Sequence, residues 1–149
     1  MGVEAVMAQF PAHVKVFCDG GSRGNPGPAA SGVVITTTKD EVIGEYNEYL
    51  GLRTNNYAEY SAVILGLSEL KAHQDVTRAD FYLDSELVTK QLNGQYRVKH
   101  VDMKPLYAQV QELLREVGAE VSFAHVRREF NTLADAQVNV CLDTQISST

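Results

Sequence analysis

Two hydrophobic periods divide the chain. Over residues 13–19 (HVKVFCD), 31–38 (SGVVITTT) and 42–50 (VIGEYNEYL) the apolar positions alternate or cluster as they do in strands. The turn-rich GGSRGNPGP of residues 20–28 follows the first run, and Lys39-Asp40-Glu41 separates the second from the third, which predicts an antiparallel meander. From residue 56 to about 73 the period changes. Tyr60, Val63, Ile64, Leu67 and Leu70 recur at spacings of three and four, the mark of a helix with one buried face. A strand over 79–84 (ADFYLD), a helix from Ser85 to Gly94 and a basic connection over 95–100 come next. A helix over 103–117, a strand over 120–126 (EVSFAHV) and a last helix over 132–142 complete the pattern. The order βββαβααβα predicts an α/β domain with a five-stranded mixed sheet. Residues 1–12 read as an N-terminal extension, 13–143 as the domain, and the Thr/Ser-rich 144–149 as a flexible tail.

The length of 149 residues fits this single domain, and 44% hydrophobic with 21% charged residues supplies a core and excludes a disordered chain. The net charge of −6 excludes a polybasic protein that grips polyanions by bulk electrostatics. Cys18 and Cys141 form no CxxC and no disulfide framework, so two buried, reduced thiols are expected. No apolar run approaches the roughly 18 residues of a membrane span. The first residues also lack the basic-then-apolar pattern of a signal peptide, and the expected location is the cytoplasm.

Four acids stand at strand ends or in first helical turns: Asp19, Glu59, Asp84 and Asp135. Each has a structural explanation. Asp19 before Gly-Gly can start a turn; Asn56-x-x-Glu59 resembles a capping box; Asp84 with Ser85 can cap a helix; Asp135 follows Thr132 at capping distance. As a set they carry a different meaning. Strand ends of an open α/β sheet gather at one edge, where ligands bind. Four carboxylates there repel one another unless they bind cations. Oxygen ligands without Cys or His suit Mg²⁺ or Mn²⁺, and phosphodiester hydrolysis by two metals about 3.5–4 Å apart is the chemistry that uses such a set.

The blocks CDGGSRGNPGPAASG, TNNYAEY, LDSELV and REFNTLAD resemble, in order and spacing, the four sequence blocks of the type 1 ribonuclease H family, over roughly residues 13–140. The resemblance implies the ribonuclease H-like fold and endonucleolytic cleavage of the RNA strand of RNA/DNA hybrids, leaving a 3′-hydroxyl and a 5′-phosphate. It implies Asp19, Glu59, Asp84 and Asp135 as catalytic metal ligands for two Mg²⁺, with Mn²⁺ as a substitute. Asp19 is expected to bridge both ions, with Glu59 and Asp84 completing one site and Asp135 the other. A monomer with no obligate protein partner is expected, although some bacterial relatives join this domain to a C-terminal phosphatase-like one.

For the substrate, Asn25, Asn55 and Asn56 match positions that face the minor groove, where the 2′-hydroxyl tells RNA from DNA. Thr54 with Asn25 resembles a DNA-phosphate pocket; ordinary capping is the alternative for these residues. A strand, not a helix, follows Gly20, Gly21, Gly24 and Gly27, so nucleotide-loop readings fail and the glycines are expected to allow a tight turn and close substrate approach. Ser85, Glu86, Lys90 and Lys99 are expected substrate contacts, Glu86 and Lys90 being equally readable as a solvated helix face. The basic stretch of Lys90, Arg97, Lys99 and Lys104 is expected on DNA-strand phosphates, with Tyr96 beside it read as core. The basic helix of longer family members is absent, which implies modest, salt-sensitive affinity. His125 is read as a strand residue rather than the mobile histidine of longer relatives, and Arg128 as a candidate product-release residue. The alternatives are an integrase- or resolvase-like strand transferase on the same fold, or a catalytically silent hybrid-binding module.

Overall fold

The computed structural model describes residues 9–147. β1 (His13–Ser22), β2 (Gly27–Thr37) and β3 (Val42–Arg53) form the meander, and α1 (Asn55–Lys71) leads to β4 (Arg78–Leu83). Then come α2 (Glu86–Leu92), α3 (Lys104–Glu116), β5 (Glu120–His125), a 3-10 turn (Arg128–Phe130) and α4 (Thr132–Ser147). The sheet order is β3-β2-β1-β4-β5, with β1 antiparallel to β2 and parallel to β4. The expected five-stranded mixed sheet is the one observed. β1 and β2 reach farther into the glycine-rich segment than side-chain alternation predicts. The pairings Gly20↔Ser31, Gly21↔Ala30 and Ser22↔Ala29 explain why, since ladder hydrogen bonds come from the backbone and need no hydrophobic period.

The main core lies on one face of the sheet. Val14, Val16 and Cys18 of β1 and Phe81 and Leu83 of β4 are buried with Tyr60, Val63 and Leu67 of α1 and Val110 of α3. Full burial of such a side chain contributes about 1.5–3 kcal/mol. On the other face Val138, Cys141 and Leu142 of α4 pack with Ala30 of β2. Both thiols are buried and free.

The chain departs from expectation at both ends. Phe10, expected in a loose extension, is 5% exposed, and its ring stacks on His73 at 3.7 Å. The Ala12 carbonyl accepts from the Thr77 and Arg78 amides. Residues 9–12 therefore belong to the fold, while 1–8 of that expected segment lie outside the described residues. At the other end α4 continues to Ser147, so residues 144–147 are helical rather than a tail. The Thr144 hydroxyl donates to the Val140 carbonyl one turn back, which lets a polar residue stay in the helix. Residues 148–149 lie outside the description.

Candidate active site

Register builds the first half of the site. β1 and β4 pair in parallel as far as Cys18↔Leu83, so the next residues, Asp19 and Asp84, emerge side by side at the carboxyl ends of the two strands. The chain leaves β1 toward β2 on one side and returns as β4 on the other, a topological switch point.

Two glycines build the second half. A Cβ on Gly20 would overlap the Ala58 carbonyl and the Glu59 amide, so the bare backbone lets α1 lie directly on β1 and sets Glu59 beside Asp19. Gly32, opposite Asp19 on β2, does the same for α4: a Cβ there would overlap the Ala134 carbonyl, next to Asp135. Gly20 thus serves helix packing, and both Gly20 and Gly21 line the cleft.

Asp19, Glu59, Asp84 and Asp135 line one open cleft of about 480 Å³. Carboxylate oxygens of Asp19, Glu59 and Asp84 lie within 4.8 Å of one another; Asp135 lines the same cleft outside that group. Asp19 and Glu59 are 7% and 6% exposed, so their charges are poorly solvated. Burial, then the Asp84 charge, pushes the Asp19 carboxyl up to about 8, and burial with the Asp19 charge raises Glu59 well above its ordinary range. The Cys18 thiol beneath them is raised by burial and by the same two acids. Glu59 Oε1 accepts from the Gly20 amide at 3.3 Å, and its buried Oε2 has no hydrogen-bond partner among the described residues. Crowded, under-bonded, oxygen-only donors fit a hard divalent cation.

The helix caps lie elsewhere. Thr54 caps α1, accepting from the Tyr57 amide at 3.2 Å, and Ser85 caps α2, accepting from Val88 at 3.2 Å. Asp135 accepts from the Asn139 side chain at 3.2 Å. The capping readings of Glu59 and Asp84 thus give way, whereas Thr54 and Ser85 do cap.

The other expected contacts follow a continuous track. Asn55 and Asn56 line the acid cleft and also a neighbouring groove of about 710 Å³ that takes in Asn25 and Thr54. That groove shares Leu87, Gln91 and His100 with a further one of about 620 Å³, where Lys99 lies. The Asn55 amide donates to Asn25 Oδ1 at 2.9 Å, and Asn55 Oδ1 accepts from Ser22, so the turn and the start of α1 are cross-linked. Ser85 and Arg128 line the acid cleft. Glu86 and Lys90 pair at 3.0 Å along α2, outside both acid cleft and grooves. Tyr96, read as core, is instead 50% exposed, with the Lys90 ammonium over its ring at 5.0 Å. His125 closes β5, paired with Leu83.

Sequence reasoning missed Asn131. It is 1% exposed, and its amide donates to the Cys18 carbonyl at 2.8 Å and to Asp84 Oδ2 at 3.1 Å, tying the carboxylate to β1. Its position four before Asp135 and just ahead of a helix was the available signal, one that reads first as a cap. Arg23 and Asn139, both in the cleft wall, were missed as well.

A mixed sheet with carboxylates gathered at its switch point by two helices defines the class as ribonuclease H-like α/β domains. Residues 17–141 match the family model described as reverse transcriptase-like. A bifunctional protein of Mycobacterium tuberculosis is 39% identical over 91% of this chain, which spans 37% of that protein's length. The ribonuclease HI of Halobacterium salinarum is 39% identical over 87% of this chain and 64% of its own. Among solved structures, LC11-RNase H1 in complex with RNA/DNA hybrid superposes with a TM-score of 0.85 at 37% identity, covering 89% of this chain and 99% of that one. The chain belongs to the ribonuclease H family, in its ribonuclease HI branch.

Proposed function

We propose that the chain is a metal-dependent endoribonuclease that hydrolyses the RNA strand of RNA/DNA hybrids, leaving a 3′-hydroxyl and a 5′-phosphate. The observation that carries this reading is the cluster of Asp19, Glu59 and Asp84, within 4.8 Å, at one end of a track of amides and a lysine. The LC11 neighbour, solved with an RNA/DNA hybrid, supports the substrate class.

Asp19, Glu59 and Asp84 would hold one divalent cation, and Asp19 with Asp135 a second. Two such ions activate the attacking water and stabilise the leaving oxygen when bound. Mg²⁺ is the expected ion and Mn²⁺ its substitute. The chain's own contribution is to hold the acids in place before substrate arrives: Asn131 orients Asp84, the Gly20 amide orients Glu59, and the buried strand end fixes Asp19. Asn55 and Asn56 lie where the groove meets the acid cleft, with Asn25 in the groove, and these three would sense 2′-hydroxyls, while Thr54 and Lys99 would contact the DNA strand's phosphates. The chain is taken as a monomer, and two free thiols fit the reducing cytoplasm.

The test is a gel assay of end-labelled RNA/DNA hybrid, duplex RNA and duplex DNA with Mg²⁺, Mn²⁺ or EDTA. The expected result is internal cleavage of the hybrid's RNA strand alone, lost in EDTA. Cleavage or joining of duplex DNA would point to a strand transferase, and binding without cleavage to a silent module.

A further inference from the structure

Arg23 sits in the turn between β1 and β2 and reaches across the cleft wall to α4. Its Nη2 donates to Asp143 Oδ1 at 2.6 Å and to Asn139 Oδ1 at 3.5 Å, and Asn139 Nδ2 donates to Asp135 Oδ2 at 3.2 Å. Asp135, Asn139 and Asp143 follow at intervals of four, one face of a helix turned to the turn. The ion pair is largely exposed, with side-chain exposures of 39% and 67%, so it adds little stability. Its consequence is one of polarity.

A guanidinium only donates, whereas an amide has one accepting and one donating end. With Arg23 holding the Asn139 oxygen, the amide must present its NH₂ to Asp135. Without Arg23 the amide can rotate and set its oxygen against the carboxylate. We propose that Arg23, acting through Asn139, is a positioning residue that fixes the rotamer of Asp135 for cation binding. The same turn is tied to α1 through Ser22, Asn25 and Asn55, so it couples the substrate-facing amides to the fourth carboxylate. This inference rests on the metal-dependent reading of the cleft.

The test compares the full chain with Arg23→Met, Asn139→Leu and Arg23→Lys in MgCl₂ titrations of hybrid cleavage and in calorimetric titration with MnCl₂. Arg23→Met and Asn139→Leu are expected to raise the half-maximal Mg²⁺ concentration about tenfold, the usual cost of losing a partner behind a metal ligand. The KM for hybrid at saturating Mg²⁺ and the melting temperature in EDTA should stay unchanged. Mn²⁺ affinity should weaken in parallel, and Arg23→Lys, which also only donates, should restore most of the metal response. A raised KM with an unchanged metal midpoint would overturn the proposal and make Arg23 a phosphate contact. Unchanged values throughout would reduce it to a surface ion pair. If the wild-type chain cleaves no hybrid, the functional reading fails, while the Mn²⁺ affinities still decide the role of Arg23.

Discussion

β4 carries an aspartate near its start and another just past its end, and the fold treats them oppositely. Asp80 is surrounded by donors: Ser122 Oγ at 2.8 Å, His13 Nε2 at 2.7 Å and Arg78 Nε at 3.4 Å. Asp84 accepts from the Asn131 side chain alone among the described side chains, and stands with Asp19 and Glu59. Burial alone would raise Asp80, but hydrogen bonds from His13 and Ser122, with the Arg78 charge, hold it below its ordinary value; Asp19 and Glu59 go up. One end of the strand pair satisfies its carboxylate for the sake of the fold. The other crowds its carboxylates together, and burial with their mutual charge favours a bound cation.

Exchanging a carboxylate for an amide at each end tests that contrast most strongly. Asp84→Asn should fold, keep its bond to Asn131 through a rotated amide and lose hybrid cleavage by about a thousandfold, several kcal/mol of barrier. Single-turnover cleavage with a circular dichroism melt checks both halves, and undiminished cleavage would break the assignment. Next in size is Gly20→Ala. The added methyl overlaps α1 backbone, so the helix must lift, costing about 3 kcal/mol and displacing Glu59. Urea denaturation measures the cost, and Gly21→Ala, where a Cβ meets only Val138 at 3.6 Å, serves as the mild control.

A pH titration without metal separates the ends by the sign of a slope. Below 3.8 folded and unfolded chains both hold the Asp19 proton; between there and about 8 the unfolded chain loses it first, so stability contributed by this group falls as pH rises and levels off above that. Asp19→Asn in EDTA should therefore melt higher than wild type at pH 7, with a flatter profile, although it is inactive. Saturating Mg²⁺ should reverse the ranking, because ligand binding stabilises only the chain that keeps the acid.

Much of the site was legible before the structure, since strand ends and helix starts locate acids along the sheet edge without knowledge of packing. The parallel pairing of β1 with β4 then fixes Asp19 beside Asp84. Less visible were features that depend on three dimensions at once. Gly20 and Gly32 look like turn or strand glycines in the sequence, and only the approach of α1 and α4 shows what their missing Cβ permits. Asn131 hides behind its capping position. Phe10 and residues 144–147 were misjudged because the patterns there are too short to show a period, and burial against His73 and the continued turns of α4 decided them.

The smallest predicted effect sharpens the other half of the contrast. Asp80→Asn keeps the shape but weakens charge-assisted bonds to Ser122, His13 and Arg78, costing about 1–2 kcal/mol at pH 7. In a domain of this size that lowers the melting temperature by roughly 2–8 °C. The sign follows from a folded pKa lowered below 3.8: the stability is fully present above that value and is lost as pH falls through the folded pKa, where the native carboxylate takes up its proton. The penalty of the variant should thus shrink toward pH 2, opposite to the trend at Asp19. Hybrid cleavage should be untouched, because Asp80 lies at the far end of β4 from the cleft and lines none of it. Urea midpoints at pH 7 and at pH 3 or below, with cleavage rates at pH 7, decide the matter: a pH-independent penalty would mean that Asp80 acts through shape, and a loss of cleavage would mean that the two ends of β4 are coupled.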